Sequence, residues 1–178
     1  MNVLLHSCCG PCASACVPRL KEVGHAVTMF YSNSNIDTRA EFEKRLAAAR
    51  TLAAAEGVTL VADDYDHAAW LRAVADGYEN EPEKGRRCER CYRYNLARTA
   101  AYAAAHGFEA FTTSLTVSPH KPSAKIFAAS EDPKFLREDF KKREGFKLSV
   151  RRAGELGLYR QAYCGCEFSK RTSQEEPT

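Results

Sequence analysis

Short apolar runs alternate with longer helix-patterned stretches along most of this 178-residue chain, and that alternation limits the fold more than any other feature. Residues 2–6 (NVLLH), 26–31 (AVTMFY), 58–62 and 110–114 each read as a buried strand. The first is followed by CCGPCAS and a helix reaching residues 20–23, with Pro18 kinking it or sitting near its first turn and Gly24 as its stop. Thr38-x-x-Glu41 is a capping box that opens an alanine-rich helix ending at Gly57. Asp66 can cap a short helix around Trp70. A polar loop over 76–87 precedes a helix that begins near Cys88 and runs to His106. Beyond the loop at 118–122 lie a short helix over 123–129, a candidate fifth strand over 134–137 and a last helix over 149–156. The pattern predicts an α/β fold: a single domain, residues 1–170, with a parallel sheet of four to five strands flanked by helices. Residues 171–178 (RTSQEEPT) are expected to form a disordered tail. Sheets of this kind bind ligands beyond the carboxyl ends of their strands. The segments after strands one and four, carrying Cys8, Cys9, Cys12, Ser114 and His120, are therefore expected to meet.

The eight cysteines say what such a site would do. No apolar run approaches the roughly 18 residues of a membrane span, and the start lacks the form of a secretory signal. A cytoplasmic protein is expected, and in a reducing compartment clustered cysteines point to metal ligands or redox thiols. Cys8-Cys9-x-x-Cys12 falls where a strand gives way to a helix, and unpaired N–H groups there favour thiolates. Cys88-x-x-Cys91 opens another helix. Two thiolates from the first motif and this pair would suit structural zinc or a 4Fe–4S cluster, and the adjacent Cys8-Cys9 is unlike a zinc ribbon. Cys164-Gly-Cys166 could close as a strained, easily reduced disulfide or supply further ligands. Cys16, one helical turn beyond Cys12, reads as an ordinary buried residue.

The net charge is only +3, but basic residues bunch around the second motif, as in Arg86-Arg87-Cys88-Glu89-Arg90. Such patches hold phosphates or are simply solvated. His120 and Lys121 could bind phosphate or transfer protons. His6 reads as a satisfied core or edge histidine.

LLHSCCGPC, CERCYRYNLARTA, TTSLTVSPHKP and LYRQAYCGCEFS, in that order, resemble the epoxyqueuosine reductases of the QueH type over nearly the whole chain. The resemblance implies a nucleotide-binding, Rossmann- or HUP-like architecture. It implies reduction of the epoxide of epoxyqueuosine, at the wobble position of tRNA, to the alkene of queuosine. It also implies a 4Fe–4S cluster on Cys8, Cys9, Cys88 and Cys91, with a further iron beside it. Cys12, Cys164 and Cys166 would serve that second metal or a dithiol step, and His120, Lys121 or Tyr163 would handle protons. The tRNA would be held by Arg86, Arg87, Arg90, Arg93, Lys121, Arg160 and Gln161, and an unidentified electron donor is implied. Gly10 stands where alanine is usual, and Pro122, where asparagine is usual, removes a backbone donor. The rival reading is a zinc-containing RNA-binding module without catalysis. An ATP-using sulfur-transfer enzyme is disfavoured, because SCCGPCAS is no phosphate-cradling glycine loop.

Overall fold

The computed structural model describes residues 1–170. Strands β1 (Asn2–His6), β2 (Ala26–Tyr31), β3 (Thr59–Ala62) and β4 (Ala110–Thr113) form one sheet in the order β3-β2-β1-β4. Every neighbouring pair is parallel, with His6 in register with Phe30 on one side and Thr113 on the other. The helices are α1 (Gly10–Glu22), α2 (Arg39–Glu56), α3 (His67–Trp70), α4 (Arg86–Ala105), α5 (Ser123–Phe127) and α6 (Gly145–Glu155). A π-helical turn, Leu71–Ala75, extends α3, and a 3-10 turn, Ser114–Val117, follows β4.

The alternation is thus a parallel α/β fold with four strands. The fifth segment contributes only one bridge, Phe135 beside Phe111, held by Phe111 N–H to the Lys134 carbonyl and Leu136 N–H to the Phe111 carbonyl. Pro133 offers no donor just before it, and the charged Arg137 and Glu138 just after it face no partner strand. Pro18 sits inside α1, past its first turn, and the helix continues through it. The last helix begins at Gly145, four residues before the sequence pattern places it.

Both faces of the sheet are covered. Leu5, Met29 and Tyr31 pack with α1, α2 and α6, while Leu4, Phe30 and Phe111 pack with Tyr92 and Leu96 of α4. Alternate residues of a strand face opposite ways, so consecutive apolar residues are what two covered faces require. Gly10 lets α1 meet α2 closely: a Cβ there would lie 2.9 Å from the carbonyl carbon and oxygen of Ala48.

The carboxyl edge of the sheet is tied by buried polar groups. His6 Nε2 donates to the Ser32 carbonyl at 3.0 Å, which leaves Nδ1 to accept from the Thr113 hydroxyl at 2.9 Å. Burial lowers the His6 pKa to about 4, so the ring is the neutral form this pairing needs. Asn33 Nδ2 donates to the Ser7 carbonyl at 2.9 Å. Asp63 accepts from Ser32 at 2.7 Å and takes a two-pronged bond from Arg98 at 2.6 and 2.8 Å.

Gly10→Ala should force α1 and α2 apart at a backbone contact. The expected cost is about 1–3 kcal/mol, read as a melting temperature several degrees below wild type. An unchanged midpoint would show that the helices yield freely at that point.

Candidate functional site

The strand order reverses its direction of growth beside β1, so the crevice above β1 and β4 is left open to be lined by loops and helix starts. A cavity of about 420 Å³ occupies it. Cys8, Cys9 and Cys12 line one wall, at the start of α1. Cys91 of α4 and Cys164 of the C-terminal segment line another, and His120, Lys121, Arg160, Gln161 and Tyr163 complete the expected group. A smaller cavity of about 30 Å³ adjoins it, and Cys88, Cys91, Cys164 and Cys166 all line that one.

Local structure explains the first wall. Cys9 is the N-cap of α1, in extended conformation, and its Sγ accepts the Cys12 N–H at 3.4 Å. The sulfur therefore occupies the place of a serine or aspartate oxygen at a helix start. Cys8 is held by Ser114, whose Oγ accepts the Cys8 N–H at 3.0 Å and lies 3.2 Å from Cys8 Sγ. The sulfurs of Cys8, Cys9 and Cys12 all lie within 4.8 Å of one another. Hydrogen bonds from Cys12 and Cys8 hold the Cys9 thiol well below the ordinary cysteine range, whereas Cys12 is pushed well above it by the bonds it makes to Cys8 and Cys9. Within the triad, ionisation is favoured at the helix cap, where the α1 dipole also favours negative charge.

At the second wall, the thiols of Cys88, Cys91 and Cys166 are neutral by burial. Burial pushes the Cys91 thiol well up, with Cys164, Cys166 and Cys88 adding to it. Burial likewise raises Cys88 and Cys166. Two of these sulfurs still have a donor nearby: the Lys84 N–H lies 3.3 Å from Cys88, and Asn95 Nδ2 lies 3.9 Å from Cys91. The Trp70 indole N–H is buried, has no well-aligned acceptor and favours the Cys91 thiolate. The half-buried Lys121 lines both cavities. Burial works against its charge, but Cys164 and Cys8 outweigh that and push its pKa up.

The Cys164-Gly165-Cys166 turn is built by other elements. Gly165 has φ 145°, and a Cβ there would meet Asn35 Nδ2 at 3.1 Å and Arg45 Nη1 at 3.3 Å. The buried Arg45 of α2 donates to the Cys164 carbonyl at 2.7 Å and the Tyr163 carbonyl at 3.1 Å, and pairs with Glu41 at 2.7 Å. All eight cysteines are free, so Cys164 and Cys166 are a dithiol in this structure.

The expected residues divide in three ways. Cys12 lies closest to Cys8 and Cys9, whereas Cys88 and Cys91 sit with Cys164 and Cys166 at the adjoining cavity. Cys16 is fully buried, with its thiol against the Cys12 carbonyl, as a core residue would be. Arg87 and Arg90 are turned to the protein rather than the solvent. Arg87 is buried and donates to the carbonyls of Tyr78, Glu79 and Glu81, and Arg90 donates to those of Val74 and Ala73. Arg87 thereby shapes the 76–85 loop that carries Glu83 and Lys84 to the cavity rim, and Arg90 holds the π-helical turn before it. Arg86 is exposed beside Glu81, and Arg93 lines a separate shallow surface with Lys125. Among the lining residues that sequence reasoning missed, Asn95 carried a signal, lying one helical turn after Cys91. Asn33, Asn35 and Lys84 carried none, and neither did Arg45, which anchors the Cys164 turn from behind the cavity wall.

The donor set fits an iron–sulfur group. Soft thiols, N–H and O–H donors directed at sulfur, and a cation facing the thiols are what an anionic cluster requires.

Arg45→Met should remove the anchor of the Cys164–Cys166 turn and leave Glu41 buried without its cation. A loss on the order of 3–5 kcal/mol is expected by denaturant melting. Faster alkylation of Cys164 and Cys166 should accompany it, and unchanged thiol reactivity would contradict the anchoring role.

Comparison with known sequences agrees with this geometry. The family described as epoxyqueuosine reductase QueH matches residues 3–172, from β1 to beyond the last cysteine pair. An epoxyqueuosine reductase QueH of Dehalococcoides mccartyi is 35% identical over 176 residues, covering 95% of this chain and 92% of that protein. Those of Thermotoga maritima and Streptococcus pyogenes serotype M1 are each 34% identical, covering 94% of this chain and 90% and 70% of theirs. The matched span includes every cysteine that lines the two cavities, and the chain belongs to the epoxyqueuosine reductase QueH family.

Proposed function

We propose that this protein reduces the epoxide of epoxyqueuosine, at the wobble position of a tRNA anticodon, to the alkene of queuosine, with a 4Fe–4S cluster in the thiol-lined chamber. The observation that carries the reading is the convergence of thiols from three separate segments on one cavity with His120 and Lys121, in a chain of this family. A cytoplasmic location follows from a tRNA substrate and from thiols kept reduced. Among the described residues no helix is long and apolar enough to cross a membrane.

Cys8 and Cys9 at the start of α1, with Cys88 and Cys91 at the start of α4, would hold the cluster. When bound it supplies single electrons. A further iron would sit on Cys12 and its neighbours, as a Lewis acid for the epoxide oxygen. The reaction removes one oxygen as water and needs two electrons and two protons. The Cys164/Cys166 dithiol holds that complement: oxidation to a disulfide releases two electrons and two protons. The electron donor, which this reading leaves unidentified, would return the disulfide to the dithiol.

The remaining residues bind and orient. Tyr163 donates its hydroxyl to Asp37 at 2.7 Å, and burial and that carboxylate raise its pKa, so it is held in the protonated form as a fixed wall. His120 stands on the loop after β4, at the cavity edge, and is the better placed proton donor. That loop is pinned by Lys141, whose ammonium donates to the carbonyls of Thr116 and Lys121 and to Ser123. Gln161 touches Cys9, and Arg160 and Lys121 offer positive charge to the backbone phosphates.

A zinc-bearing RNA-binding module would find three thiols in the Cys8/Cys9/Cys12 group but gives Cys164 and Cys166 no role.

The test is conversion of epoxyqueuosine-containing tRNA by anaerobically purified protein and a chemical reductant, followed as loss of one oxygen in nucleoside mass. Cys164→Ser and Cys166→Ser should each abolish turnover while retaining cluster iron. Full activity in either variant would remove the dithiol step. Cys88→Ser and Cys91→Ser should lose cluster iron, whereas Cys16→Ser should keep it; retention of all iron by Cys88→Ser would exclude it as a ligand.

A further inference from the structure

We infer that Phe146 is a stacking platform for an unpaired nucleobase next to the reacting nucleoside. This rests on the tRNA reading above and adds a binding residue to it. Phe146 is one of three large apolar side chains that the described residues leave exposed, at 41%. The other two, Met1 and Val23, lie at the amino-terminal side of β1 and at the end of α1, away from the thiol chamber. Phe146 instead lines the chamber, together with Arg160 and Lys84.

The backbone fixes this placement. α6 is entered through Arg143 and Glu144, both in the left-handed region at φ 58° and 57°. Gly145 follows because a Cβ there would lie on top of the Phe140 carbonyl. Arg19 of α1 ties the same turn by donating to the carbonyls of Phe140 and Lys142 at 3.1 and 2.9 Å. At the base of the ring, the Phe146 carbonyl accepts from Ser149 at 2.7 Å. The turn is therefore held before any ligand arrives, and an aromatic ring presented this way needs little ordering on binding.

The charges around it select the occupant. Lys84 and Arg160 are exposed at the rim and Lys121 lies deeper, against the single acid Glu83. Cations that track a phosphate backbone, beside an aromatic face, are the pattern for a single-stranded nucleic acid. A wobble nucleoside that enters the chamber must leave the anticodon stack, which strips a neighbouring base of its stacking partner. Phe146 offers that base a replacement surface.

The experiment measures anticodon stem-loop affinity and the kcat and KM of anaerobic, iron-loaded protein. Phe146→Ala should weaken binding about tenfold or more and raise KM alike, with kcat, iron content and melting temperature unmoved. Phe146→Trp should restore binding. Arg160→Ala should instead flatten the salt dependence of affinity by about one counterion, which Phe146→Ala should not. An abasic substitution at one of the two flanking anticodon positions should cost wild type what Phe146→Ala costs, and cost the variant nothing more. Wild-type affinity in Phe146→Ala, or additive losses at both flanks, would overturn this inference alone. A wild type that bound no stem-loop would overturn it together with the functional reading.

Discussion

The chain builds the sheet outward from β1 through β2 to β3 and then crosses back to place β4 on the other side of β1, and the site depends on the gap this leaves above β1 and β4. The first helix after β1 begins at its floor, so the first cysteines are presented at a helix cap. α4 belongs to the other side of the sheet and brings Cys88 and Cys91 to the same edge. The His6 bridge between Thr113 and the Ser32 carbonyl keeps the ends of these strands in step beneath them.

Gathering so many thiols into a half-dry chamber has an electrostatic consequence. Thiolates repel one another, and burial already holds Cys88, Cys91 and Cys166 in the neutral form. Ionisation is favoured at Cys9, by its neighbouring thiols and the helix start. Further deprotonation requires a cation to arrive, so metal loading and proton release are coupled. Lys121, the Lys84 N–H and the Trp70 indole then face sulfur that carries charge, which gives each a partner it otherwise lacks or holds weakly.

Much of this was written in local patterns. Apolar runs gave the four strands, the capping box gave the start of α2, and the three cysteine motifs marked the chamber walls. The fifth strand failed because a short apolar run does not say whether a partner strand will run alongside it. Arg87 and Arg90 sit in a basic run that reads as a phosphate patch, yet a guanidinium can equally bind backbone carbonyls of a loop or a helix end. Only the path of the 76–85 loop distinguishes these uses. Arg45 was invisible for the same reason: its partners at Tyr163 and Cys164 lie more than a hundred residues away along the chain. Cys12 shows the limit in the other direction, since spacing marks it as a ligand candidate but does not divide the labour within a triad.

The most direct measurement of the central claim is the metal content of protein purified without oxygen: iron, acid-labile sulfide and zinc per chain, with the visible spectrum. An iron–sulfur reductase predicts about four sulfides per chain, at least as much iron and a broad absorption near 400 nm. Iron in excess of sulfide would mark the second iron. Stoichiometric zinc in a colourless protein without sulfide would contradict the account.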